Sequence, residues 1–248
     1  MATPICRRAM VTLAFLVALT SSPEGGFCRV ARADRPSSSN MSLLSGRTIG
    51  NGQTALAAAL GWPGIWALVN FAPSSTVNFS IKGTVLYGTP VMGLSTNAGG
   101  SVAVPFRVHL FAEGDFDLAA YVEPTGFVGE GGLAGQEGVF KNDLGFGFGG
   151  IFGALGGYGI SDAVTLAFGL TGEIYYVSVP DADASEVVGA AVAIIGVEAL
   201  ISRDTMLFVE GRGGVGLGGG RPGGSTGPGT LFDGAQVLRL SIGLAYLL

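Results

Sequence analysis

The chain is poor in charge, in histidine and in cysteine. Of its 248 residues only 12% are Asp, Glu, Lys or Arg, about half the share of an average soluble domain. His109 is the one histidine, and the two cysteines, Cys6 and Cys28, both lie near the N-terminus. If that segment is removed no cysteine remains, which excludes a disulfide framework and a cysteine-based metal site. A basic face is missing too. Residues 1–33 hold Arg7, Arg8, Arg29 and Arg32 against Glu24, so 13 basic and 18 acidic groups fall to 9 and 17, a net charge of −8. Nucleic acid needs a positive surface and is excluded as a partner. Finally, no 20-residue block reads as a clean Leu/Ile/Val helix able to span a bilayer.

What is abundant is apolar or small. Hydrophobic residues make up 48% of the chain and glycine contributes 44 positions, with a mean hydropathy of +0.52. Glycine follows no three-residue repeat and proline is only 11 residues, so collagen is excluded. Disorder does not fit so apolar a composition. Composition points to a membrane, crossed by something other than long helices.

Arg7 and Arg8 precede the apolar run Val11–Leu19, and Ala31-Arg32-Ala33 follows. This order matches a secretory signal peptide over residues 1–33, cleaved after Ala33. Asp34–Gly46, with its Ser37-Ser38-Ser39-Asn40 run, reads as a flexible polar leader.

From Arg47 onward the chain alternates between period-2 segments and turns. Val77–Tyr87 sets Val77, Phe79, Ile81, Gly83, Val85 and Tyr87 against Asn78, Ser80, Lys82, Thr84 and Leu86. Ala235–Leu248 sets Leu238, Leu240, Ile242, Leu244, Tyr246 and Leu248 against Arg239, Ser241 and Gly243. The same pattern marks Val102–Ala112, Phe116–Pro124, Asp143–Leu155, Ala163–Val177 and Thr205–Leu217. Val187–Ile201 is apolar on both faces except for Glu198, and Arg47–Leu60 and Gly64–Phe71 are weaker segments. Period-2 patterning is the mark of strands with two unlike faces. The connections Ala72–Thr76, Glu113–Asp115, Gly156–Asp162 and Ser202–Asp204 are short. Gly88–Gly100, Gly126–Asn142, Ser178–Glu186 and Gly218–Gly234 are longer. Ten such segments with alternating short and long links predict an all-β fold: a ten-stranded antiparallel up-and-down transmembrane barrel over 47–248.

Charge parity carries this reading. Lys82, Arg107, Asp117, Glu123, Glu173, Glu210, Arg212 and Arg239 all fall on the less apolar face of their segments. A strand in lipid must satisfy its backbone through its neighbours, so the sheet closes and the charged face turns inward. Glu198 and His109 join this lumen network. Pro105 removes a ladder donor inside a segment and predicts a bulge there. A helical alternative rests on Gly145, Gly149, Gly153 and Gly157, a small-residue series at helical spacing. Gly145–Gly150 and Gly214–Gly219 lack the strand-to-helix context and acidic partner of a nucleotide-binding loop.

The signal segment, the ten alternating segments and the terminal strand Leu238–Leu248 together resemble the small outer-membrane β-barrel superfamily. That superfamily includes OmpA-like transmembrane domains and opacity-type proteins. The resemblance implies an outer-membrane location and a C-terminal strand read by the barrel-insertion machinery. Here the chain ends in Leu248, with the aromatic Tyr246 two residues earlier on the same face.

Two functions follow from the lumen. Four basic groups (Lys82, Arg107, Arg212 and Arg239) face five acidic ones (Asp117, Glu123, Glu173, Glu198 and Glu210). Near balance suggests a bore filled by paired charges, since unpaired charge in so narrow a space is costly. The protein is then a structural or surface-interaction barrel whose partners are the bilayer and a surface ligand met by the long loops. The alternative is a narrow passive channel for ions or small solutes, with Gly145, Gly147 and Gly149 leaving room for it. No nucleophile or acid stands beside His109 in the sequence, so no enzymatic activity, catalytic residue, metal or cofactor is expected.

Overall fold

The computed structural model describes residues 41–88, 98–130, 144–180, 184–220 and 236–248. The signal segment and leader residues 34–40 lie outside the described residues. The strands are β1 (Thr54–Trp62), β2 (Gly64–Phe71), β3 (Val77–Leu86), β4 (Gly99–Ala103), β5 (Phe106–Glu113) and β6 (Phe116–Glu130). They continue as β7 (Leu144–Gly159), β8 (Val164–Val179), β9 (Ala184–Leu200), β10 (Thr205–Gly220) and β11 (Gln236–Leu247). Apart from β4 and β5, neighbours in sequence are neighbours in the sheet, and every pairing is antiparallel. β11 returns to β1 from Ala55↔Leu247 to Trp62↔Leu240, which closes the sheet. Among the described residues no helix is long and apolar enough to cross a membrane, and the glycine series at helical spacing runs along β7.

Eleven strands make ten walls. β4 and β5 both pair with β3 and β6 and are two halves of one wall, split at Val104 and Pro105. The ladder bridges the split: Ser80 N–H donates to the Pro105 carbonyl (2.8 Å), and Val104 N–H donates to the Pro124 carbonyl (2.9 Å). The pairing register is the same on either side of Pro105, so no bulge forms there. Its missing N–H removes one donor toward β3, and the ladder absorbs that loss without a shift. The bulge lies instead between His109 and Phe111, which oppose the consecutive residues Ala119 and Leu118. The extra residue lets Leu110 and Phe111 both face outward, as a bulged strand allows.

The two faces separate cleanly. Leu170, Phe148, Val85, Leu60 and Ile195 are among the large apolar side chains on the exterior, and Leu240, Ile242, Leu244 and Tyr246 alternate outward along β11. Asp117, Glu123, Glu173, Glu198, Glu210 and Arg107 are all buried in the bore. An apolar outer band over polar contents is stable in hydrocarbon and unstable in water. β9 is apolar inside as well as outside because its inner face packs rather than wets. Ile194 joins Tyr121, Ile151 and Leu155, and Val192 joins Ala190 and Val237.

Two inner-face glycines of β7 make room for rings. A Cβ on Gly147 would stand 2.4 Å from the Phe127 ring, and one on Gly149 would stand 2.7 Å from the Tyr175 ring. Those two rings, each cross-strand from its glycine, meet edge to face at 5.8 Å. The space that Gly147 and Gly149 leave is occupied by aromatic side chains.

Leu170 is 68% exposed near the middle of β8, so it should sit deep in the bilayer. Leu170→Arg is expected to lower the folding free energy in phospholipid vesicles by about 2–4 kcal/mol, read by urea titration, while Leu170→Ile stays near neutral. A loss well below 1 kcal/mol would place that face of β8 outside hydrocarbon.

Candidate functional site

At the short-turn end the chain itself enters the bore. Met41, Ser42, Leu43, Leu44 and Ser45, within the stretch the sequence marked as a flexible leader, are all buried, and so is Ile49 just beyond it. That expectation is corrected for Met41–Gly46, because the segment finds partners for its backbone inside the barrel. Glu198 accepts from Leu43 N–H (2.6 Å), Leu44 N–H (2.7 Å) and the Ser42 hydroxyl (2.7 Å). Asp117 accepts from Gly46 N–H at 2.7 Å. Arg107 answers with its donors: Nη1 reaches the carbonyls of Ser45 (2.7 Å), Arg47 (3.0 Å) and Ser42 (3.3 Å), and Nη2 reaches that of Leu43. The His109 Nδ1–H donates to the Gly46 carbonyl at 2.9 Å. Thr48 adds a bond from its hydroxyl to the Ser75 carbonyl in the β2–β3 turn (3.0 Å).

Small wall residues make room for this plug. Ala55, Ala57 and Ala59 on β1, Ala167 on β8 and Ala245 on β11 pack with Met41, Leu43, Leu44 and Ile49 in one apolar cluster, closed by Met206 and Phe208. Gly157 and Gly196 complete the fit. A Cβ on Gly157 would meet Ser45 Cβ at 2.5 Å, and one on Gly196 would meet the Leu44 side chain at 2.8 Å.

The charges fall into two layers, each balanced. Beside the plug, Arg107 and Arg47 stand with Asp117 and Glu198. The Arg47 Nε lies 2.8 Å from Asp117 Oδ2, close enough for a charge pair though off the N–H direction. Nearer the long-connection end, Lys82 pairs with Glu123 (3.1 Å), Arg212 with Glu210 (2.8 Å) and Arg239 with Glu173. The last pair is bidentate, at 2.7 and 2.5 Å, a geometry that adds direction as well as strength. Tyr121 donates its hydroxyl to Glu123, and Lys82 Nζ sits 5.5 Å from the centre of the Trp66 ring.

All ten expected network residues therefore lie inside the barrel, but they do different work. Lys82, Glu123, Glu173, Glu210, Arg212 and Arg239 pair with one another. Arg107, His109, Asp117 and Glu198 hold backbone. Arg47 was missed: it evens the count of charges, and its place in a weakly patterned segment gave no parity to read. The plug was missed as well, although Met41, Leu43 and Leu44 were an apolar signal within a polar leader. Among the described residues no cluster of His, Cys, Asp and Glu could hold a metal.

Above the second charge layer, where the long connections join the strands, lies a cavity of about 210 Å³. Trp62, Trp66, Phe127 and Tyr175 are among its walls, and the three ion pairs contribute to its lining. A smaller void of about 50 Å³ separates the pairs from Leu43 and Leu44 of the plug.

No protein-family model matches the chain, and no curated protein is similar to it in sequence. Among solved structures it is similar to the outer-membrane protease OmpT of Escherichia coli, at 10% identity over 80% of this chain and 94% of that one, with a TM-score of 0.43. It is also similar to an outer-membrane protein of Vibrio cholerae called OmpT, at 15% identity over 79% of this chain and 61% of that one (TM-score 0.30). A third is a FadL homologue of Pseudomonas aeruginosa, at 9% identity over 79% and 88% (TM-score 0.35). At these values none of them transfers a function to this chain.

Glu198→Ala leaves two buried amide donors of the plug, Leu43 and Leu44 N–H, without an acceptor, at about 1–3 kcal/mol each. Amide hydrogen exchange at Leu43 and Leu44 is expected to accelerate at least about 10-fold, the equivalent of about 1.4 kcal/mol, while strand amides keep their protection. Glu198→Gln, which retains one acceptor oxygen, should show a smaller change. Unaltered exchange in the alanine variant would mean that the plug is held elsewhere.

Proposed function

We propose that this protein is an integral outer-membrane barrel with a structural or surface-interaction role, no enzymatic activity and a bore that does not conduct. The observation that carries this reading is the plug: Met41–Ile49 lies inside the short-turn end, bonded to Glu198, Asp117, Arg107 and His109. A second barrier stands behind it in three ion pairs. An ion crossing would have to pass the backbone segment and then part charges that have little water to replace their partners.

The absence of enzymatic activity is supported by His109, whose Nδ1 is committed to the Gly46 carbonyl. The outer-membrane location is supported by the signal-like N-terminus and the exposed apolar band. The C-terminal strand, which completes the barrel against β1, is the element an insertion machinery would read. A surface partner would be met at the end where the long connections join the strands, because the opposite end is filled.

Planar-bilayer recording on the refolded mature protein is expected to show no stepwise conductance. A chain lacking residues 1–49 is expected to conduct more than the intact one, and no gain would assign the seal to the ion pairs alone. Regular conductance steps from the intact protein would overturn the reading in favour of the narrow channel.

A further inference from the structure

We infer that the 210 Å³ cavity at the long-connection end is a binding site for a small amphipathic solute whose apolar, ring-sized body is joined to a head of no net charge. The size sets the scale, since a dry cavity of roughly 150 Å³ suffices for benzene. The walls set the body. Trp62, Trp66, Phe127 and Tyr175 offer ring faces and edges, and Val177 and Val188 add aliphatic surface. Phe127 and Tyr175 are held by their contact with each other and by the glycines beneath them, so this part of the wall is preformed. Sites of this kind combine an apolar lining with a few converging polar groups.

The pairs set the head. Every cation there already has a carboxylate: Lys82 has Glu123, Arg212 has Glu210 and Arg239 has Glu173 through two contacts. A singly charged anion would have to displace a carboxylate, and a singly charged cation would have to displace an arginine or the lysine. Either leaves a buried charge without its partner, which is strongly unfavourable. A zwitterion or a neutral hydrogen-bonding head adds to the pairs without breaking one. This inference is separate from the sealed bore: a conducting barrel could bind such a solute, and a silent barrel could fail to.

The chain carries its own reporter. It has two tryptophans, and both Trp62 and Trp66 line the cavity. The full mature protein is folded into phosphatidylcholine vesicles and titrated with three molecules sharing one ring: the zwitterion phenylalanine, the anion 3-phenylpropionate and the cation phenethylamine. Phenylalanine is expected to change tryptophan emission saturably, with an affinity at least about tenfold above those of the two singly charged probes. Ala190 also lines the cavity, and Ala190→Phe, filling it, is expected to abolish the response while the protein keeps its strand circular dichroism. If that variant does not fold, Ser101→Phe, at another lining position, replaces it. A non-saturating response to phenylalanine, equal or tighter binding of either charged probe, or a response that survives in the folded filled-cavity variant would each overturn the inference.

Discussion

Hydrocarbon cannot hydrogen-bond, and most features of this barrel descend from that. Each backbone N–H and C=O within the bilayer must find its partner in a neighbouring strand, so the sheet closes on itself through β1 and β11. Closure divides the side chains into an outer set that meets lipid and an inner set confined to a narrow bore. Ionic groups are admitted only to the inner set, and there they are too close and too dry to stand alone. The pairing of Arg239 with Glu173 or Lys82 with Glu123 is thus a consequence of confinement. It is not by itself evidence of added stability, since a buried pair can cost as much in desolvation as it returns.

Confinement also explains how a peptide segment comes to sit inside. A backbone segment without strand partners carries donors and acceptors that must be met. The lower bore offers two acids and an arginine whose own partners would otherwise be scarce. Glu198 and Asp117 take N–H groups and Arg107 takes carbonyls, so plug and wall satisfy each other. The fit depends on small residues, which serve two ends of the barrel differently. Ala55, Ala57, Gly157 and Gly196 clear space for a backbone. Gly147 and Gly149 clear space for rings. An inward glycine in such a barrel marks something large opposite it as readily as it marks an opening.

Much of the architecture was legible from parity. The Leu238–Leu248 alternation and the charges at Asp117 and Glu123 suffice to place walls and faces, because a two-residue period is imposed locally by the pleat. What escaped lacks a period. The plug's bonds join residues such as Leu43 and Glu198, 155 positions apart, and no local pattern announces them. The bulge at Leu110 was misplaced to Pro105 because proline shows where a donor is missing, whereas a register shift depends on how both neighbouring strands are paired. Strand ends were also underestimated. β7 to β10 run 16 or 17 residues, beyond the ~9–11 a tilted bilayer crossing needs. Nothing in the lipid demands that excess, so the hydrophobic pattern fades before the strand does.

The two ends of the barrel are therefore not equivalent. At the short-turn end the bore is filled by a covalently attached segment whose polar groups are matched to the wall, leaving little for another molecule to bond. At the other end the bore broadens into an aromatic chamber above three ion pairs, with charges that are matched in number yet still have lone pairs and edges facing the cavity. A fold of this class hosts transporters, enzymes and inert anchors alike, so the fold alone cannot choose among them. The asymmetry is physical: recognition requires unspent surface, and the 210 Å³ cavity lies at one end.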